Sequence, residues 1–496
     1  IEHEAPLARI VMRSSLLSII IDVFEEGMDH ESSSNVKCMH NEACYDSAVT
    51  AISPERRQTP PWRFAIGMFG TSIPINVIKG SMLYFYVSVL GMDAAIYAAV
   101  YTVYGIIDAI DNPIFGYFSD RTRSRWGRRR PYLIVGALVL LIGMIALFWV
   151  PDAVVAAKTT SLVAWFATFA ILSEAADSMI NAAYGSLLPE LFPQEKRRAL
   201  ANSLRQGFQL VAMIFSLGLT PLLARNILGC DVRDAACADP TVGYERLAVI
   251  YGVIAAAVII FMALGIHERH GDVEEKRPTF LRSIRDIVTN RYFWTIGVVS
   301  ALYGASMAML MGGLQFYVDY ALGGGALEAT IMQGVVIFTS LGSLAIWTSI
   351  VRRRGAAWTW RLALPVCALT FVPLFFAHNL ITGILCGICV AFGWSGMLAT
   401  NDLIFARVLD EDARKTGIHR EGIFLSAFGV LGRLNAIPTS IALLSLGWFF
   451  GYRSGEVPGP DPAMAWRVYM AIYPLVFMLI GTLISRFIRL PEADEA

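Results

Sequence analysis

Two apolar stretches of this sequence carry acidic, amide and hydroxyl side chains at intervals of three and four residues. In an α-helix such intervals place side chains on one face, so each stretch would present a polar face to a neighbour. The first face consists of Asp108, Asp111 and Asn112, and the second of Glu174, Asp177, Ser178 and Asn181.

Two faces of this kind could enclose a small cation, because Na⁺ and similar hard cations prefer oxygen ligands. The same residues could instead form a buried ion-pair network, with the ammonium group of Lys79 as its counter-charge. An ionisable side chain inside a membrane-spanning helix costs at least ~2.5–3.5 kcal/mol on insertion scales. So many of them in two helices therefore indicate a functional or structural role. The residue types favour the cation site and leave the network open.

Two arginines lie far apart in the chain and could bind a substrate between them. The guanidinium groups of Arg205 and Arg433 can bind carboxylate, phosphate or sugar hydroxyls. Either side chain could reach the membrane surface instead. That alternative is stronger for Arg205, which is near the predicted start of its helix, than for Arg433, which is well inside its own.

The composition of the chain indicates which kind of structure holds these residues in place. Of 496 residues, 56% are hydrophobic and 16% are charged, against about 25% charged in a typical soluble domain. The 40 Lys+Arg equal the 40 Asp+Glu, so there is no basic excess for nucleic acid, and the high hydrophobicity excludes disorder. We predict an all-α protein that crosses a lipid bilayer several times.

Apolar stretches of about 20 residues predict twelve membrane-spanning helices. They are placed at 65–90, 95–118, 131–150, 160–188, 205–228, 246–266, 291–321, 328–350, 360–377, 380–408, 421–450 and 465–489.

The longest polar gap between these helices separates six from six. We therefore predict a first bundle over 62–266, a cytoplasmic linker over 267–290 and a second bundle over 291–490. Two bundles joined by a linker are typical of transporters that work by alternating access. Residues 1–61 are predicted to be a mobile tail without a convincing signal peptide, and 491–496 a short C-terminal tail.

Lys and Arg are concentrated in alternate loops, chiefly 121–130 and 267–291. The positive-inside rule places these loops in the cytoplasm. This predicts cytoplasmic termini and a bacterial inner or plasma membrane protein.

The sequence shows no signature of an enzyme or of a metal site. A Walker loop, a GxGxxG motif after a strand and an HExxH motif are all missing from it. Cys230 and Cys237 lie in the longest outer loop, where they could form a local disulfide if that side is oxidising. The spacing alone does not decide whether they do.

The segment DAIDNPIFGYFSDRTRSRWGRRRPYLI at 108–134 resembles the helix 2 to helix 3 signature of the glycoside–pentoside–hexuronide:cation symporters, a branch of the major facilitator superfamily. AYGSLLPEL at 183–191 and TGIHREG at 416–422 are further points of resemblance, which spans about 65–490. The resemblance implies the major facilitator fold and a cytoplasmic gate. The gate positions of this chain are Asp120, Arg121, Arg128, Arg129 and Arg130.

The resemblance also implies a cation site made of two carboxylates, an asparagine and a hydroxyl. Asp108 supplies the first carboxylate and Ser178 the hydroxyl, whereas Asp111 and Asn112 exchange the asparagine and second carboxylate positions. Oxygen ligands are retained, and the exchange leaves the choice among Na⁺, H⁺ and no ion open. The two basic positions of the family are Arg205 and Arg433.

The sugar positions of the family differ in this chain. Ser72 and Asn181 stand where a galactoside clamp would need aspartates, and Gly185 stands where it would need a stacking tryptophan. We therefore expect another substrate, with Tyr184 among its polar contacts.

Two residues suggest alternatives to cation-coupled sugar transport. Lys79 lies on the same helix face as Ser72 and could pair with Asp108 or Asp177 in place of a cation, which would allow uncoupled diffusion. Glu174 is similar to a glutamate of the sodium-dependent lysolipid symporters, which suggests an amphiphile with a charged head.

The sequence as a whole predicts a symporter of a sugar, glycoside or uronate. Its partners would be this small-molecule substrate and the lipid bilayer, with no nucleic acid. We expect a monomer without a cofactor, apart from a possible Na⁺ or H⁺ as coupling ion.

Overall fold

The computed structural model describes residues 59–122, 124–156, 159–192, 194–267, 291–416, 429–455 and 458–487. Most of the predicted N-terminal tail, most of the linker and the predicted C-terminal tail lie outside these ranges. Every regular element in the described ranges is helical.

The long helices follow the predicted order. They are α1 (Gly67–Tyr84), α2 (Ala94–Arg121), α3 (Arg130–Phe148), α4 (Thr159–Leu191), α5 (Glu195–Met213), α6 (Val242–Gly265), α7 (Arg291–Phe316), α8 (Ala326–Arg354), α9 (Ala356–Thr370), α10 (Leu380–Thr416), α11 (Ala436–Phe450) and α12 (Tyr473–Arg486).

Single π-helical turns extend several of these helices towards one end of the molecule. Such turns follow α1 at Phe85–Val89, α5 at Ile214–Gly218 and Leu223–Ile227, and α7 at Tyr317–Ala321. A π-turn shifts the helical register and often occurs beside functional groups. Here the turns of α5 and α7 carry the buried charges described below.

Eleven helices in the described ranges are long and apolar enough to cross a membrane by length and composition. The predicted twelve are therefore confirmed in eleven cases. The helix outside this set is α1, whose 18 residues include Asn76 and Lys79, and these lower its mean hydropathy. The expected spans are otherwise close to the observed helices.

The prediction for the start of α5 was wrong. The helix begins at Glu195 rather than near residue 205, because the segment EKRRALANSLR combines polarity with high helix propensity. Arg205 is therefore in the interior of α5 and not at its start. The predicted eleventh span begins at 421, and its first eight residues lie outside the described part.

The helices pack as two sets of six that meet along three pairs of helices. In the first set α4 packs on α2 and α3, and α6 packs on α1 and α3; in the second set α10 packs on α8 and α9, and α12 packs on α7 and α9. Between the sets, α1 contacts α7, α2 contacts α11, and the end of α5 contacts α8. This is the two-bundle arrangement that the sequence predicts.

The two faces of α2 show how the apolar pattern directs the polar residues inward. Its apolar residues point outward, where a bilayer would solvate them, and Ile110 is 54% exposed. Its acidic residues point towards α4 and α11, so that Asp108 is only 7% and Asp111 only 8% exposed. The outward stripe consists of Val103, Ile106, Ile110, Ile114 and Phe118.

A small residue lets α2 approach α11 closely. A Cβ atom on Gly105 would lie 2.2 Å from the Cβ atom of Ala436, so glycine is needed for this contact. Small residues at crossing points are the usual means of bringing membrane helices together. The crossing places Arg433 of the second set against the acidic face of the first.

Candidate functional site

A cluster of buried acids lies between α2 and α4, and we call it the central cluster. Glu174 and Asp177 are 1% and 4% exposed, which is comparable to the burial of the two acids of α2. Buried charges are retained only where partners or ligands offset their desolvation. The members of the central cluster are Lys79, Asp108, Asp111, Glu174, Asp177, Ser178 and Arg433.

Arg433 connects the two sets of helices through the predicted cation ligands. Its Nη1 atom forms an ion pair with Oδ1 of Asp108 and lies 3.6 Å from Oδ1 of Asp111. The same nitrogen donates a hydrogen bond of 3.3 Å to Oγ of Ser178 and another to the backbone oxygen of Asp108. Sequence reasoning assigns Arg433 to the substrate, but the structure places it among the cation ligands. The side chain of Asn112 lies outside the described part.

The acids of α4 have partners other than Arg433. Glu174 accepts a hydrogen bond from the hydroxyl of Tyr104, and its carboxyl group is within hydrogen-bonding range of that of Asp108. Asn181 lies close to Asp177. Oε1 of Glu174 and Oδ1 of Asp177 are buried and have no hydrogen-bond partner in the part of the chain that the structure describes.

Lys79 is the cation nearest these acids on the first set of helices. Its side chain is accessible to solvent, yet the charges of Glu174, Asp108 and Asp177 all act on its ammonium group. Within the described ranges, the lysine forms no ion pair shorter than 4.0 Å. It therefore lies beside the acids without being bound to one of them.

Three tyrosines of α2 continue the acidic face, and sequence reasoning missed them. The ring centroids of Tyr97 and Tyr101 are 5.9 Å apart and those of Tyr101 and Tyr104 are 5.5 Å apart, with nearly parallel planes. Tyr101 lies within the electrostatic influence of Lys79 and Asp108. The signal was present in the sequence, because the three tyrosines precede Asp108 at helical intervals.

Other predicted substrate residues have different surroundings. The hydroxyl of Tyr184 donates a hydrogen bond of 3.0 Å to the backbone oxygen of Phe64, and the two rings stack. Arg205 is half-buried near Tyr184, and its Nε atom has no hydrogen-bond partner in the described ranges. Ser72 is buried on α1. Tyr184 therefore has a structural contact that the sequence did not indicate.

Two of the predicted gate arginines brace the loop between α2 and α3. Nη2 of Arg128 and Nε of Arg129 each lie 3.1 Å from Oε2 of Glu190 at the end of α4. Gly127, with φ of 106°, allows the turn that precedes them. The side chains of Asp120 and Arg121 lie outside the described part.

A second buried charge cluster lies where the extensions of α5 and α7 meet, and sequence reasoning missed it. Arg225 is 2% exposed. Its Nη2 atom lies 2.6 Å from Asp231 and 2.9 Å from Asp319. Asp319 also accepts hydrogen bonds from Tyr84 at 2.8 Å and forms an ion pair with Arg233 at 3.1 Å. We call these five residues the Arg225 cluster.

The loop between α5 and α6 is held across this cluster. Cys230 and Cys237 form a disulfide with their Cα atoms 5.5 Å apart, and the bridge encloses Asp231 and Arg233. Arg233 also donates a hydrogen bond of 2.7 Å to the backbone oxygen of Gly324, in the α7–α8 loop. The Arg225 cluster therefore joins the first set of helices to the second.

Comparison with known proteins gives the family of this chain. The family model for MFS/sugar transport proteins matches residues 63–492. An uncharacterised symporter of Synechocystis sp. is 30% identical over 224 residues, which are 45% of this chain and 39% of that protein. The isoprimeverose transporter of Lactiplantibacillus pentosus is 24% identical over 64% of this chain and 65% of its own length. These two alignments thus span less than two thirds of each relative.

A third relative is matched over most of its length. The glucuronide carrier protein homolog of Escherichia coli is 22% identical over 83% of this chain and 88% of that protein. Among solved structures, a D-xylose–proton symporter superposes with a TM-score of 0.64 at 13% identity, covering 87% of this chain and 97% of the other. A bacterial homologue of the lysosomal transporter Spinster gives 0.64 at 14% identity, covering 86% and 96%.

The structural likenesses show the fold, and the family match shows membership. The family and these relatives are membrane transporters and not enzymes. The signature at 108–134, the two sets of six helices and the family match agree. The chain belongs to the MFS/sugar transport protein family, in the glycoside–pentoside–hexuronide:cation symporter branch of the major facilitator superfamily.

Proposed function

We propose that this protein is a secondary active transporter that moves a sugar, glycoside or uronate together with a cation. The observation that carries the proposal is the contact of Arg433 with Asp108, Asp111 and Ser178. It joins the helical segment 429–433, which directly precedes α11 in one bundle, to the acids of the other. The charge state of the acids therefore influences how the bundles meet.

The central cluster has more acids than cations among its described side chains. Its four carboxyl groups face Lys79 and Arg433, and uncompensated buried charge is strongly unfavourable. We propose that the neighbouring carboxyl groups of Asp108 and Glu174 share a proton, which removes one of these charges. We propose that the coupling ion, H⁺ or Na⁺, offsets the remaining charge at the unbonded oxygens of Glu174 and Asp177.

Coupling follows if the ion and Arg433 compete for the same acids. A cation among the acids would weaken the hold of Arg433 on α2 and free its guanidinium group to bind hydroxyl or carboxylate groups of a substrate. The substrate and the ion would then stabilise the same rearranged state, which is positive coupling. Rocking of the bundles about their contacts would expose the site to each side in turn.

The proposed substrate class rests on the site and on the relatives. Relatives carry the names isoprimeverose transporter and glucuronide carrier protein homolog, and the tyrosine faces of α2 offer an aromatic surface beside polar groups. We propose that the basic loops are cytoplasmic, as are both termini, that the protein works as a monomer in the inner or plasma membrane, and that it has no cofactor.

Uptake into proteoliposomes tests the coupling. We expect a proton or sodium gradient to drive sugar accumulation, and Asp177→Asn to reduce the gradient-driven part about tenfold. The control is Asp152→Asn, at an exposed residue, which should behave as the wild type. Equal uptake with and without gradients, unchanged in Asp177→Asn, would contradict coupled transport.

Uncoupled diffusion is a second candidate because Lys79 lies among the same acids. If its ammonium group replaces the coupling ion, wild-type uptake will not depend on a gradient. Lys79→Met would then create a need for an external cation, seen as gradient-dependent uptake. If Lys79 only neutralises part of the acidic charge and does not replace the ion, Lys79→Met will keep the gradient dependence of the wild type and lower the rate of uptake.

A further inference from the structure

Several hydrogen bonds join the two bundles towards the end of the molecule that carries the loop between α5 and α6, which we call the disulfide end. The side-chain amide of Gln315 on α7 donates a hydrogen bond of 3.3 Å to the backbone oxygen of Gly80 on α1. The backbone N–H of Leu222, in the extension of α5, donates one of 3.1 Å to the hydroxyl of Thr330 on α8. The Arg225 cluster adds its ion pairs at the same end, so the bundles are fastened to each other there.

The ion pairs described for the opposite end, where the basic loops lie, stay within one bundle. Arg128 and Arg129 at the start of α3 both pair with Glu190 at the end of α4. Between the two ends, the central cluster supplies the contact of Arg433 with Asp108. The described bonds therefore close the disulfide end, which the proposed orientation places outside the cell.

One residue of the Arg225 cluster comes from the second bundle, and the other four come from the first. Asp319 is on the extension of α7, whereas Tyr84, Arg225, Asp231 and Arg233 are on α1, on the extension of α5 and in the loop that follows it. The bonds between side chains of this cluster that cross from one bundle to the other therefore all end on one carboxylate, whose side chain is 1% exposed.

Arg225 has a partner on each side of the boundary between the bundles. Its Nη2 atom lies 2.6 Å from Asp231 of its own bundle and 2.9 Å from Asp319 of the other. Its guanidinium carbon also lies 4.5 Å from the ring centroid of Tyr84, again in its own bundle. A buried arginine that loses every partner is strongly destabilising. If the bundles separate here, Asp231 and the ring stay with Arg225, so the contact can break without that cost.

We propose that the Arg225 cluster is the outer gate of the transporter and that Asp319 is the group that leaves when the gate opens. The inference rests on the proposed function and orientation, because alternating access requires each side to close in turn. Asp231, in the loop that the disulfide encloses, keeps Arg225 paired in the open state. Opening then exchanges the bonds of one carboxylate for bonds to water.

The distance between two spin labels at the disulfide end tests the outer gate without any substrate. Asp152→Cys and Arg453→Cys provide the labelling sites, because both residues are exposed and lie in loops of different bundles at this end. The cysteines outside the disulfide are replaced by alanine, and double electron–electron resonance is measured in lipid nanodiscs. A closed gate gives the shorter distance and an open gate the longer one.

Two aspartates that bond to the same arginine provide a matched comparison. Asp319→Asn weakens the bonds between the bundles, so we expect the ratio of open to closed molecules to rise at least about tenfold. Asp231→Asn weakens a bond within the first bundle and deprives Arg225 of its partner in the open state, so it should lower this ratio. Equal ratios in the two variants would overturn the assignment.

Two tyrosines provide a second comparison, which changes no formal charge and keeps the fold if Asp319→Asn does not. The hydroxyl of Tyr84 donates its hydrogen bond to Asp319 of the other bundle, whereas that of Tyr86 donates one of 2.7 Å to the backbone oxygen of Leu147 in its own. Both rings are buried. Tyr84→Phe should raise the ratio of open to closed molecules severalfold, and Tyr86→Phe should leave it unchanged.

The outcomes separate the outer gate from the proposed function. Equal distance distributions in Tyr84→Phe and Tyr86→Phe would contradict the gate and leave sugar transport intact, because uptake into proteoliposomes tests transport independently. Gradient-independent uptake with the expected shifts in distance would contradict coupled transport and leave the gate intact.

Discussion

The central cluster and the Arg225 cluster both join the two bundles through buried arginine–aspartate pairs, but their charge balance differs. In the Arg225 cluster two arginines face two aspartates, and both oxygens of Asp319 accept hydrogen bonds from Arg225. In the central cluster four described acids face two cations, and Glu174 and Asp177 each keep a buried oxygen without a hydrogen bond.

The difference indicates different roles. A network whose charges balance can close one end of the molecule without a ligand. An unbalanced network needs a proton, an ion or a substrate to complete it, and it is therefore sensitive to what it binds. Burial alone does not distinguish the two clusters, and neither does complete hydrogen bonding, since Nη1 of Arg225 has no hydrogen-bond partner in the described ranges either. Charge balance does distinguish them.

The largest expected effect is that of Asp319→Ala. It removes one of the two aspartate partners of the buried Arg225 guanidinium group, which we expect to cost about 3 kcal/mol of folding stability. Thermal unfolding in nanodiscs measures the loss, and Asp234→Ala at an exposed residue of the same loop is the control. If the cluster acts as a unit, adding Arg225→Met to Asp319→Ala will recover part of the loss. Equal melting temperatures in wild type and Asp319→Ala would remove the distinction between the clusters.

Compared with Asp319→Ala, Arg433→Gln should lower folding stability less and transport more. The side chain of Arg433 is 26% exposed, so its loss leaves the acids able to recruit water or ions. We expect uptake to fall roughly tenfold or more while cation binding tightens, because a competitor for the acids is gone. The tighter cation binding can be measured as a larger rise in melting temperature on adding Na⁺ or lowering the pH.

Arg433→Lys should show uptake and cation affinity between those of the wild type and Arg433→Gln. A lysine keeps the charge but cannot contact Asp108, Asp111 and Ser178 as a guanidinium group does. Arg453→Gln, at an exposed loop residue, is the control for loss of charge. If cation binding weakens in Arg433→Gln, then Arg433 supports the ion site and does not compete with it.

The smallest effect is expected from removing the disulfide. Replacing Cys230 and Cys237 by serine releases a short loop, and the expected loss of stability is about 2 kcal/mol. Because Asp231 and Arg233 lie inside this loop, the stability lost on removing the disulfide should depend on whether the Arg225 cluster is intact. In an Asp319→Ala background the serine variant should therefore lower the melting temperature less than it does in the wild type. Identical decreases in both backgrounds would show that the loop and the cluster are independent.

The local sequence pattern was enough to predict most helices and the polar faces of α2 and α4. The length of an apolar stretch and the spacing of its polar residues depend only on residues that are close in sequence. The start of α5 was predicted wrongly because its first turns are polar while their helix propensity is high. The tyrosine stack preceding Asp108 could have been found by extending the same spacing towards the N-terminus. The partner of Arg433 could not be found in this way, because 325 residues separate it from Asp108.

The sequence by itself determined that this protein is an all-α membrane protein of twelve predicted spans, with acids on the inner faces of two helices. Hydrophobicity and helical periodicity decide these properties locally, whatever the rest of the chain does. Only the tertiary structure decided that Arg433 binds the predicted cation ligands and that Arg225 and Asp319 close one end. Those contacts depend on how distant helices cross, and small residues such as Gly105 set how closely they approach.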